Sequence, residues 1–103
     1  MSKSAYEMWH EHRSIVRNQY RQEYLDYMVQ VLHLARQEKQ SFIVAQALMA
    51  CAAWMYSAGR LKEARDFYEQ RLDPAVWHED KLEIQCVRDF IRQIDQELNA
   101  SER

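Results

Sequence analysis

Glycine and proline occur once each, as Gly59 and Pro74, and threonine is missing from all 103 residues. Tight strand-to-strand turns need residues that accept positive φ, and strands favour β-branched and aromatic residues. A sheet is therefore excluded in practice. There are two cysteines, Cys51 and Cys86, neither in a Cys-x-x-Cys pair, so neither a disulfide framework nor a zinc ribbon is encoded. Both read as small buried hydrophobes. The longest apolar run covers fifteen residues, 42–56, short of the roughly 20 a membrane-spanning helix needs. Charge of one sign is not in excess: 14 Lys and Arg face 16 Asp and Glu, for a net charge of −2. Such a balance gives no global pull toward nucleic acid or acidic lipid. The first residues, Met-Ser-Lys-Ser-Ala-Tyr-Glu, lack the apolar stretch of a secretory leader. The chain reads as a soluble cytoplasmic protein with no membrane partner.

What is present is helix-forming. Hydrophobic residues make up 48% and charged residues 29%, a balance that suits a globular chain rather than a disordered one. Ala, Leu, Glu, Gln, Arg and Met dominate, and all favour helix. The sequence predicts one all-α domain over 1–103, a small helical bundle of four to five helices. Ser4-Ala5-Tyr6-Glu7 is a capping box and opens a long or bent helix over 4–39. As one straight rod it would be about 50 Å long, against a radius of gyration of about 13 Å for a compact domain of this size. Either it bends near Asn18 or its first half projects. A helical hairpin is predicted over 42–72. Ser41 is its N-cap and Gly59 the turn between its two helices. Gln46 is the single polar residue between Phe42 and Tyr56, so the first helix of the hairpin is expected to be walled in on every side. The second presents Leu61, Ala64, Phe67, Tyr68 and Leu72 inward, with Lys62, Glu63, Asp66 and Glu69 solvated. Asp73-Pro74 suggests a short helical turn over 74–79. Asp80 caps a last helix over 80–98, followed by a frayed tail at 99–103.

Ala45, Leu48, Ala52, Gly59, Leu61, Ala64, Tyr68 and Leu72 fall at the spacings of one tetratricopeptide repeat, a 34-residue helical hairpin with small residues where its helices meet. The segment Ala45 to Leu72 resembles such a unit. Met55 stands where tyrosine is common, Arg71 replaces a small residue, and Pro74 comes two residues early. No second copy lies 34 residues away. Ala-Gly-Arg-Leu-Lys-Glu-Ala-Arg-Asp-Phe-Tyr is also similar to the microtubule-interacting-and-trafficking domain, a three-helix bundle. Both resemblances imply a non-enzymatic module that binds a partner protein helix or its own copy, such as an adaptor, a small chaperone or an assembly subunit. The groove between helix 1 and the hairpin is the expected seat.

No catalytic set, cofactor motif or metal set is encoded. His10 and His12, two apart, point to opposite sides of a helix, and Glu7 with His10 gives only one Glu-x-x-His where di-iron bundles use two. There is neither a phosphate-binding glycine loop nor a Gly-x-Ser-x-Gly elbow. His33 and His78 stand alone, as surface or capping residues. Arg13, Arg17 and Arg21 line one face at i, i+4, i+8. They meet either a partner's acids or phosphates, or acids of this fold such as Asp89 and Asp95. An Arg-rich face contacting DNA or a transcription factor is the second functional reading. Tyr6, Trp9, Tyr20 and Tyr24 share this N-terminal helix, and Tyr, Trp and Arg are enriched at binding hot spots. The candidate partner-binding set is Tyr6, Trp9, Arg13, Arg17, Tyr20, Arg21 and Tyr24.

Overall fold

The computed structural model describes residues 3–11 and 22–101, and among these there are five helices and no strand: α1 (Ala5–Glu11), α2 (Gln22–Gln37), α3 (Ser41–Ser57), α4 (Leu61–Arg71) and α5 (Lys81–Ser101). The radius of gyration is 14.0 Å. The all-α bundle is as the composition dictates, and no helix is long and apolar enough to cross a membrane among the described residues.

Local chemistry places most of the boundaries. The Ser4 hydroxyl accepts the Glu7 N–H at 3.1 Å, and the Asp80 carboxylate accepts the Glu83 N–H at 3.0 Å. Each satisfies a donor that the helix itself leaves open. At the end of α3, Arg60 N–H bonds the Met55 carbonyl at 2.9 Å and Gly59 N–H bonds the Tyr56 carbonyl at 3.0 Å. Gly59 sits at φ 76°. This is a Schellman closure with glycine in the left-handed position. The end of α2 closes the same way, with Gln40 N–H on the Ala35 carbonyl at 2.9 Å and Lys39 N–H on the Arg36 carbonyl at 3.3 Å. There the left-handed residue is Lys39, at φ 57°.

Helix pairs that come within 8 Å between Cα atoms are α1–α2, α1–α3, α2–α3, α3–α4 and α4–α5. From α2 onward each helix packs on its neighbour in sequence. The hairpin α3–α4 is the most extensive contact. Ala45, Ala52 and Ala64, fully enclosed, let its backbones approach closely. The core runs through Met28 and Val31 of α2, Leu48 and Cys51 of α3, and Val87 and Ile94 of α5, all fully buried.

Several expectations change. The start of the N-terminal segment does not project: α1 folds onto α2 and α3 and buries Ala5 and Met8. Its N-terminal N–H at Ala5 is taken by the Glu38 carboxylate at 2.7 Å, and the Tyr27 hydroxyl donates to the Met8 carbonyl at 2.7 Å. Asn18 lies outside the described residues. Ser41 is the first residue of α3 rather than its cap; Gln40 holds the cap position and makes no side-chain bond. Residues 74–79 form no helix. Asp73 closes a turn instead, accepting the Ala75 N–H on its carboxylate (2.9 Å) and the Val76 N–H on its carbonyl (2.9 Å). The helix expected to fray after residue 98 continues to Ser101. Cys86 is exposed, not buried, because it lies on the flank of α5 with Leu82 and Phe90 rather than on the buried line of Ile84, Val87 and Ile94.

Candidate functional site: a cleft between α3 and α5

Sequence reasoning placed the site on the N-terminal helix. Of its residues, Arg13, Arg17, Tyr20 and Arg21 lie outside the described residues. Tyr6 is 56% exposed and its ring lies 4.3 Å from that of His10. Trp9 and Tyr24 are half-buried and pack against the core. Burial pushes the Tyr24 phenol above its ordinary pKa, with the Cys51 thiol adding to the shift. Tyr6 and Trp9 therefore sit on a helix already docked on its own chain. The groove expected between the N-terminal helix and the hairpin holds α1 itself. Asp95, a proposed partner for the arginine face, is engaged by Arg65 at 2.6 Å, and Asp89 by Arg92 at 3.5 Å.

The uncovered apolar surface lies elsewhere. Helix α3 is not walled in on every side. Phe42, Gln46, Met49, Ala53 and Tyr56 recur at i, i+4, i+7, i+11 and i+14, which places them on one stripe. All five are exposed or half-exposed, as are Ala50, Trp54 and Ser57 beside them, while Val44, Leu48, Cys51 and Met55 on the opposite side are buried. Phe42 is 47% exposed. The one sequence signal for this stripe was Gln46, the single polar residue of the run, which lies on it.

Three contacts locate the stripe relative to α5. At the start of α3, Phe42 meets Trp77 edge to face at 5.0 Å between ring centroids, just ahead of α5. At its end, the Tyr56 hydroxyl donates to the Glu97 carboxylate at 2.8 Å and accepts from the Gln93 amide at 3.3 Å. Helices α3 and α5 thus run in the same direction, with α4 returning between them. No Cα of α3 lies within 8 Å of one in α5. They are set apart across α4, whose Tyr68 is buried and stacked on Phe90 of α5 at 5.3 Å; we name the strip of surface between the α3 stripe and α5 the cleft. The flank of α5 that bears Gln93 and Glu97 continues, at helical spacing, through Phe90 (41% exposed) and Cys86 to Leu82 (82% exposed).

A buried arginine holds one end of the cleft. Arg71 is fully enclosed. Its Nη1 donates to the Trp77 carbonyl at 2.6 Å and its Nη2 reaches the Glu83 carboxylate at 3.3 Å. The guanidinium lies 6.0 Å from the Trp77 ring centroid, within cation–π range. Only its Nε lacks an acceptor. Arg71 therefore ties the last turn of α4 to the loop carrying Trp77 and to the first turn of α5.

The cleft is aromatic and neutral through most of its length. Burial raises the pKa of the Tyr68 phenol, and the hydrogen bond to Glu97 raises that of Tyr56, so both are neutral near pH 7. Among the described residues no three His, Cys, Asp or Glu side chains gather where they could hold a metal ion. Chemically the arrangement can bind an apolar surface and orient it with the amide and carboxylate at one end. No protein-family model, curated protein or solved structure matches the chain.

Proposed function

We propose that the chain is a non-enzymatic protein-interaction module, an adaptor, small chaperone or assembly subunit, that seats an amphipathic helix of a partner protein, or of its own copy, in the cleft between α3 and α5. The observation that carries this reading is the uncovered stripe Phe42–Met49–Ala53–Tyr56 facing the exposed flank of α5. Helix-in-groove recognition uses anchors at i, i+3 or i+4, and i+7. A seat as long as α3, 17 residues, spans about 25 Å and suits a partner helix of roughly four to five turns. Phe, Tyr, Trp and Met are the residue types that concentrate at interface cores. The free thiols of Cys51 and Cys86 suit a cytoplasmic, reducing setting.

The test pairs affinity capture from the source lysate, with and without nuclease, with light scattering of the purified protein. A protein partner or a homodimer that survives nuclease is expected, and Phe42→Glu/Phe90→Glu is expected to abolish it. Phe42 and Phe90 are 47% and 41% exposed but pack on Trp77 and Tyr68, so binding is compared at a temperature where circular dichroism shows the double variant folded. Binding that persists in the folded double variant, or that vanishes on nuclease treatment, would sink the proposal.

A further inference from the structure

The turn between α2 and α3 borders a cavity of about 440 Å³ that the cleft does not include, lined by Arg36, Lys39, Ser41, Val44, Gln70, Asp73, Ala75 and Val76. Small-molecule sites occupy about 300–1,000 Å³ and combine an apolar lining with a few placed polar groups. Here Val44 and Val76, both buried, supply the apolar floor. The polar groups are the cations of Arg36 and Lys39, the Ser41 hydroxyl, the Gln70 amide and one carboxylate, Asp73. Among the described residues neither Arg36 nor Lys39 forms an ion pair.

We infer that this cavity binds a small oxyanion, a phosphate monoester or carboxylate carried on a compact apolar group. The Arg36 guanidinium is held at the wall by one bond, from Nη2 to the Gln70 amide oxygen at 2.7 Å, which leaves its other donors for a ligand. Of the nearby acids, Glu38 is drawn to α1, where it accepts the Ala5 N–H; Asp73 lines the cavity and accepts the Ala75 N–H, so two cations there face one carboxylate. Lys39 stands in the left-handed region, where its backbone closes α2 and its side chain borders the cavity. A guanidinium and an ammonium converging on one space recognise an anion through charge-assisted hydrogen bonds, and the floor recognises what carries it.

The experiment titrates the full chain with phenyl phosphate, benzoate and benzyl alcohol, following amide resonances by two-dimensional NMR. Saturable shifts centred on Ser41, Val44 and Val76 are expected with phenyl phosphate, benzoate or both, and the tighter of the two identifies the headgroup as phosphate or carboxylate. Benzyl alcohol is expected to produce none. Arg36→Gln and Lys39→Gly should each weaken binding by about tenfold, the loss of roughly one charge-assisted bond. Lys39→Gly should not lower the melting temperature, because glycine suits that backbone better, so a loss of affinity cannot be blamed on unfolding. The inference is overturned by no saturable shift with either acid, by equal binding of benzyl alcohol, or by unchanged affinity in both variants. None of these outcomes bears on the cleft, whose residues are different.

Discussion

Gly59 and Lys39 close their helices with the same hydrogen bonds but at different cost. A left-handed conformation strains any residue with a Cβ by about 1–2 kcal/mol. At Gly59 a Cβ would meet no heavy atom within 4 Å, so the penalty there is purely conformational. Gly59→Val should lower unfolding stability by at least about 1 kcal/mol in urea titration, and an unchanged midpoint would refute the left-handed assignment. Lys39→Gly should raise stability by roughly 0.5–1 kcal/mol, the strain relieved less the extra freedom glycine has when unfolded. The two thiols separate just as plainly. Burial pushes the Cys51 thiol up to about 12, whereas Cys86 is exposed. Since the thiolate is the reactive form, a disulfide reagent at pH 8 should modify one thiol per native chain and two in urea. The turn at Gly59 was legible in sequence because glycine announces positive φ. Lys39 was not, because no side chain marks a left-handed lysine. Cys86 was misplaced because burial depends on which side of α5 meets α4.

Helices α4 and α5 are fastened at both ends by arginines that differ in kind. Arg71 is buried with Glu83, so removing one partner leaves an uncompensated charge. Glu83→Ala should cost about 3 kcal/mol, while replacing the pair together, Arg71→Met/Glu83→Met, should cost less than that single change. A double-mutant cycle in urea decides it; additive costs would mean the two are uncoupled. Arg65 instead reaches Glu69 and, at 2.6 Å, Asp95 near the surface. Its hydrogen bonds hold the Asp95 carboxyl below the ordinary carboxylate range. With the folded value depressed, the contribution is complete above the unfolded pKa of about 3.9 and is lost as pH falls through the folded value. Asp95→Asn should therefore flatten the acid side of the stability profile below about pH 4, leaving neutral pH slopes unchanged. Capping by Ser4 and Asp80 was legible because each acts within three residues. That an arginine at position 71 would be enclosed was not, since its partners, Trp77 and Glu83, are brought to it by a turn that Asp73 closes.

At the scale of the molecule, composition and periodicity were enough for an all-α bundle with a hairpin hinged at Gly59. They did not place the open surface. Fifteen consecutive residues with one polar side chain suggest complete enclosure, and only the spacing of α3 from α5 shows that one stripe is left uncovered. The order of packing has a kinetic consequence. Because α2, α3, α4 and α5 each rest on the helix before, most native contacts join segments close in sequence, and low contact order goes with folding in microseconds to milliseconds. Nearest-neighbour stacking also lets cooperativity decay toward the ends. Helix α5, whose backbone approaches only α4 among the described helices, is a unit that can detach while α2, α3 and α4 stay folded. Native-state hydrogen exchange should show its amides opening at lower free energy than those of α3. The wall of the cleft that α5 supplies is then also an element that can open on its own, so that occupancy of the cleft and the folding of α5 are thermodynamically linked.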